Sequence, residues 1–109
     1  ESVDLMVVVV EPGLKSLETA ERIKKLAGDI GVQRIMAIIN KVSDIHEEEF
    51  MRERLSSLNL EVLGSVPRDE KVIEADMRGE PLMMYPDSEA LRAIRSISER
   101  ILSLHMGVE

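Results

Sequence analysis

Strands apolar on both faces, alternating with segments of helical period, place this 109-residue chain in the α/β class, as a three-layer α/β/α arrangement around a partial parallel sheet. Two observations carry that expectation. The runs Asp4 to Val10 and Arg34 to Ile39 are almost wholly apolar and lack the alternation of a half-solvated strand. Each is followed by a segment whose apolar residues recur every three or four positions. Strands joined that way run parallel, through right-handed helical crossovers.

The elements follow in order. The first strand, Asp4 to Val10, is bounded by Glu11-Pro12-Gly13. Ser16 is a plausible N-cap for a helix with Leu17, Ala20, Ile23, Leu26, Ala27 and Ile30 as its apolar stripe, and Gly31 is a natural stop. The second strand, Arg34 to Ile39, ends at Asn40-Lys41. Asp44 and Glu47 have the spacing of a capping box, ahead of a helix carrying Ile45, Phe50, Met51, Leu55 and Leu58. The third strand, Glu61 to Val66, ends at Pro67. Asp69 caps a short helix to about Arg78, which Gly79 stops. A loop, Glu80 to Pro86, leads to a final amphipathic helix with Leu91, Ile94, Ile97, Ile101 and Leu104 inward.

Composition narrows the function. Apolar residues make up 44% and charged residues 32%, enough to bury a single modest core. The balance of 14 basic against 21 acidic residues gives a net charge of −7, which argues against a nucleic-acid surface. With no cysteine, disulfides and Cys-ligated metals are excluded within this stretch, a composition compatible with the cytoplasm. The longest apolar run, Leu5 to Val10, is too short to span a membrane. Met77, Met83, Met84 and Met106 are expected to fill gaps in the core rather than bind a soft metal. His46-Glu47-Glu48-Glu49 lacks the H-E-x-x-H spacing of a metal site and reads as a solvated acidic first turn.

Ligands of open parallel sheets bind beyond the carboxyl ends of the strands, so three loops are expected to share one rim: Glu11 to Ser16, Asn40 to Asp44, and Pro67 to Glu70. The first imitates a phosphate-binding loop. It lacks the G-x-x-x-x-G-K-[ST] pattern, and no Gly-Lys pair occurs anywhere in the chain. In the second, Asn40 offers a donor and an acceptor suited to a purine edge, and Lys41 an aliphatic stem; an ordinary Asx turn remains the plain alternative. In the third, Pro67 presents a rigid apolar surface, Arg68 a planar cation, and Asp69 either a helix cap or a polar contact for a base or ribose.

Val66-Pro67-Arg68-Asp69 after one strand and Asn40-Lys41 after the preceding one resemble the deviant-Walker P-loop ATPases, the family of the nitrogenase iron protein, MinD and CooC. The runs Val8 to Arg22 and Ile39 to Val42 look most like the CooC branch. The resemblance extends over the whole chain, 1–109 as a single domain, aligned to the family's C-terminal half without its phosphate-loop half. It implies that Asn40 hydrogen-bonds adenine and that Val66, Pro67, Arg68 and Asp69 line the base and ribose. Lys41 stands beside them, at a position where family members vary. Ile73 and Ala90 occupy positions where the iron proteins carry glutamines.

The function so implied is the adenine-nucleotide-recognising portion of an ATPase concerned with metal-cofactor maturation or partner positioning. The parent would use ATP or ADP with magnesium and act as a homodimer or with a protein partner. This stretch would itself be non-catalytic and would hold no cofactor tightly. Three apolar strands leave two open sheet edges, so further strands are expected upstream of Glu1. The alternative is a stand-alone interaction module that self-associates through its open edge. A receiver-like domain is disfavoured, because none of the strands ends in Asp.

Overall fold

Val7, Val8, Val9 and Val10 are stiff at χ1 and pack well on a pleated surface, so the chain enters extended. In the computed structural model, which describes residues 5–105, β1 spans Met6–Val10. Asp4, expected to open this strand, lies outside the described residues. The chain continues through α1 (Leu14–Asp29), β2 (Ile35–Val42), α2 (Ile45–Ser57), β3 (Glu61–Pro67), α3 (Glu70–Arg78), a 3-10 turn (Leu82–Met84) and α4 (Glu89–His105). The strands form one parallel sheet in the order β1-β2-β3, with Val8 opposite Ala37 and Ala37 opposite Val62.

The expected order of elements is thus the observed one, and helices pack on both faces of the sheet. Alternate residues of β2 serve opposite cores, as the two-residue period of a strand requires. Ala37 and Ile39 pack with Val8, Val10, Leu17, Ala20, Met51 and Leu55 under α1 and α2. Met36 packs with Leu63, Val66, Ala90 and Ile97 under α4, with Ile38, Ile101 and Leu104 partly buried around them. Fully burying a side chain such as Leu55 or Leu63 contributes roughly 1.5–3 kcal/mol.

The helix ends are set by identifiable chemistry. Asp44 Oδ1 accepts from the Glu47 N–H at 2.8 Å, and Glu47 Oε1 accepts from the Ser43 N–H at 2.7 Å, closing the expected box. Gly31 (φ +83°) ends α1 in a Schellman arrangement, with the Val32 N–H donating to the Ala27 carbonyl at 2.9 Å. Gly79 stops α3 in the left-handed conformation. The start of α1 departs from expectation: Gly13 is its N-cap residue, and the Ser16 hydroxyl accepts instead from the Glu11 N–H at 3.3 Å.

Several residues expected inward lie outside. Leu26, Ile30, Ile45, Phe50 and Ile94 are exposed, Ile30 by 75%. Among the described residues the sheet is three strands wide, so helical stripes overhang it. The methionines do not fill the core either: Met77 is 82% exposed, and Met83 and Met84 are exposed on the 3-10 turn. Met106 lies outside the described residues. α4 packs over β3 rather than β1, which leaves Val9 60% exposed.

One close approach fixes where α4 sits. Leu63 is an extra residue in β3, a bulge between the pairs Ala37–Val62 and Ile38–Gly64. The Arg100 guanidinium, from α4, donates to the Leu63 carbonyl. Beside it, a Cβ on Gly64 would stand 2.6 Å from Ile97 Cγ1, so any larger residue there would force Ile97 and α4 to shift from the strand.

Candidate functional site

The site begins with an irregularity at the end of β2. Asn40 and Lys41 belong to the strand, which runs on to Val42 rather than ending at Ile39. Ile39 pairs with Ser65 and Val42 with Pro67, so β2 carries one more residue than β3 between those points. Lys41 absorbs the surplus at φ +58°, a conformation that costs a non-glycine residue roughly 1–2 kcal/mol. Beyond the bulge, the Arg68 N–H donates to the Val42 carbonyl at 2.8 Å, tying the β3–α3 turn to β2. Bulges recur where a strand end must re-aim a side chain.

Asn40, Lys41, Val66, Pro67, Arg68 and Asp69 all line one cleft of about 280 Å³. Its remaining walls are Val72 and Ile73 of α3, Leu82 of the 3-10 turn, and Ala90 and Ile94 of α4. The volume sits just below the roughly 300 Å³ at which drug-sized pockets begin, room for one ring system with the rest of a ligand outside. Of the three rim loops expected to converge, two do. Residues 11–16 contribute no wall; Glu11 reaches the rim only through its Oε2, 3.4 Å from Lys41 Nζ.

The polar groups of the cleft divide into committed and available. Asp69 Oδ1 accepts from the Lys71 N–H at 2.9 Å, and Oδ2 accepts from the Ser88 hydroxyl at 2.6 Å and the Ala90 N–H at 3.1 Å. The Ser88 hydroxyl, the Ala90 N–H and the Lys71 N–H and ammonium together hold the Asp69 carboxyl below the usual carboxylate range, against a smaller opposing effect of burial. Lys41 is paired with Glu11 at the exposed rim. The Asn40 carboxamide and the Arg68 guanidinium have no partner among the described residues. A half-buried amide with an unspent donor and acceptor, beside an unpaired planar cation and apolar walls, suits a flat heteroaromatic ring with hydrogen-bonding edges.

A larger depression of about 630 Å³ lies between α1 and the α2–β3 turn, lined by Arg22, Lys24, Lys25, Ser57 and Asn59 among others. It is wide and charged. Lys24 Nζ is spent there on the carbonyls of Leu58 and Asn59, at 2.5 and 3.2 Å. It also faces the amino ends of the strands, the wrong end for ligands of a parallel sheet. The smaller cleft is the better candidate. Ile94 was not expected in it, because its helical spacing read as core, and neither was Leu82, placed in the loop Glu80 to Pro86, or Val72. Ser88 also escaped notice: it stands ahead of an apolar helix, the signal of an N-cap, and nothing in the sequence marks its burial.

Residues 3–82 match the family model described as the CobQ/CobB/MinD/ParA nucleotide binding domain. The chain is 43% identical over 105 residues to an ATP-binding protein of Methanocaldococcus jannaschii, an alignment covering 95% of this chain and 40% of that protein. It is 41% identical over 92 residues to the carbon monoxide dehydrogenase accessory protein CooC of Rhodospirillum rubrum, covering 84% of this chain and 34% of that one. Among solved structures, the cell division protein MinD of Aquifex aeolicus superposes with a TM-score of 0.79 at 22% identity, over 92% of this chain and 44% of that chain. The likeness to MinD speaks for the fold. The chain spans 40% of the length of the Methanocaldococcus jannaschii protein and 34% of the length of CooC.

Proposed function

The chain belongs to the CobQ/CobB/MinD/ParA nucleotide-binding domain family, and from that membership we propose that it is the adenine-recognising C-terminal portion of an ATPase of CooC or MinD type. The observation that carries this reading is the cleft at the ends of β2 and β3, where Asn40 and Arg68 find no side-chain partner among the described residues and stand among apolar walls. In it, Asn40 donates to and accepts from the adenine edge, and Pro67 and Ile94 offer apolar surface to the ring. The Arg68 guanidinium meets the ribose or stacks on the base.

Phosphate and magnesium binding belong to other parts of the parent protein, since no G-x-x-x-x-G-K-[ST] run occurs in this sequence. Hydrolysis in P-loop ATPases depends on that machinery, so these 109 residues recognise the base and do not catalyse. The similarity to CooC favours a parent in metal-cofactor maturation over one in positioning. It acts as a dimer or on a protein partner.

Titrating the ¹⁵N-labelled chain with adenosine and with ATP tests the reading. The two ligands bind with affinities within a few-fold of each other, because the phosphates gain little here, and both shift the Arg68, Asp69 and Ala90 amides. Asn40→Ala weakens both by about tenfold, the scale of one or two lost hydrogen bonds. No saturable shift, or ATP binding more than about a hundredfold tighter than adenosine, a gap of roughly 2.7 kcal/mol, contradicts it.

A second reading, a module that self-associates through its sheet edge, is favoured by one observation: Val9 on β1 is 60% exposed. A dimer that persists on dilution in sedimentation, with no adenosine response at Asn40, would support it over the first.

A further inference from the structure

Two helices start where one carboxylate sits. Asp69 caps α3 through the Lys71 N–H, and its other oxygen reaches across 19 residues of sequence to the start of α4, where it accepts from Ser88 and Ala90. Ser88 is fully buried. Its hydroxyl proton goes to Asp69, and its oxygen accepts from the Leu91 N–H at 3.1 Å, so the group has no rotational freedom left. One carboxylate and one hydroxyl thus satisfy one opening N–H group of α3 and two of α4.

The same pair joins the two walls of the cleft. Pro67, Arg68 and Asp69 form one wall from the β3–α3 turn, and Ala90 and Ile94 form the other from α4. Further along, α4 is held independently, by Ile97 against Gly64 and by Arg100 on the Leu63 carbonyl. Losing the contact at its first turn therefore frees the wall of the cleft without detaching the helix.

We propose that Asp69 and Ser88 form a latch that sets the width of the cleft, with Asp69 a positioning residue rather than a ligand contact. The ligand-binding part of this proposal rests on the reading of the cleft as a base site. Both carboxylate oxygens are engaged by internal donors, so Asp69 acts on a bound ring through the placement of Pro67, Ala90 and Ile94. Asn40 and Arg68 are left to make the polar contacts.

The test is a double-mutant cycle of Asp69→Asn and Ser88→Ala in the labelled chain, with three measurements. They are amide exchange at Ala90 and Leu91 without ligand, the NMR titration of the Asp69 carboxyl, and the adenosine dissociation constant. Each single variant speeds exchange at Ala90 and Leu91 by about tenfold, the scale of a lost hydrogen bond to a charged group, and leaves Ile97 protected. Ser88→Ala moves the Asp69 titration upward, toward the ordinary carboxylate range. Both variants weaken adenosine by a similar factor, and the double variant is no worse than the poorer single, because the two act through one contact. Adenosine binding lost in Asp69→Asn but intact in Ser88→Ala makes Asp69 a direct ligand and overturns the proposal. So does unchanged exchange at Ala90 in both variants. If the unmodified chain shows no saturable adenosine binding, the base-site reading fails, and the latch is still judged by exchange and by the Asp69 titration.

Discussion

Lys41 shows how a single residue places a site. Its left-handed backbone (φ +58°) inserts the surplus residue that ends the regular pairing of β2 with β3, and the strand end then lines the cleft with Asn40. Glycine would adopt that conformation without strain, at the cost of a more flexible unfolded chain. A β-branched residue would suffer most. Lys41→Gly is accordingly expected to be neutral to stabilising by about 1 kcal/mol, and Lys41→Val to destabilise by about 1–2 kcal/mol. Urea denaturation with unchanged m-values checks both; a Val variant as stable as Lys would show that the bulge carries no strain. The ion pair of Lys41 with Glu11 is exposed and contributes little to either result. At this scale the sequence was partly legible. Asn40, Pro67 and Arg68 announce themselves as strand-end residues with useful chemistry. The commitment of Asp69 to Ser88 does not, because it depends on which of its possible donors the tertiary fold brings near.

Element boundaries were legible where a cap wrote them. Asp44 with Glu47, Asp69, Gly31 and Gly79 each mark an end through a side-chain acceptor or a left-handed turn, and each does so in the structure. Ser16 misled because its hydroxyl found the Glu11 N–H five residues back. β2 outran its expected end because Asn-Lys reads as a turn, whereas here it forms a bulge inside the strand. The apolar stripes of α1 and α4 were periodic as expected. Period alone does not say how wide a sheet lies beneath, so Ile30 overhangs and Ile94 faces the cleft. Helix-to-strand packing in turn rests on Gly64. Gly64→Ala is expected to cost about 1–3 kcal/mol through overpacking against Ile97. In a chain already carrying Ile97→Ala the same change should cost under about 0.5 kcal/mol, since the opposing atoms are gone. Equal penalties in the two backgrounds would mean that the close approach is not what demands glycine.

For the molecule as a whole, a parallel sheet of three strands brings two strand ends, a helix start and a 3-10 turn to one rim. Because β2 and β3 are neighbours, residues 40–41 and 66–69 meet despite their separation in sequence, as the alternation of strand and helix foretold. The two cores and the layering follow from the doubly apolar strands, and family membership follows from the match over residues 3–82. What the sequence did not disclose is that Leu82 of the 3-10 turn and Ile94 of α4 join Ala90 in lining the cleft, since their placement depends on helix packing rather than on local pattern. The central claim is that this cleft holds an adenine ring. Intermolecular NOEs between adenosine ring protons and the isotope-labelled chain test it most directly. They are expected at Asn40, Pro67, Ala90 and Ile94. Contacts instead at Arg22, Lys25 and Asn59, in the larger depression beside α1, would contradict the claim.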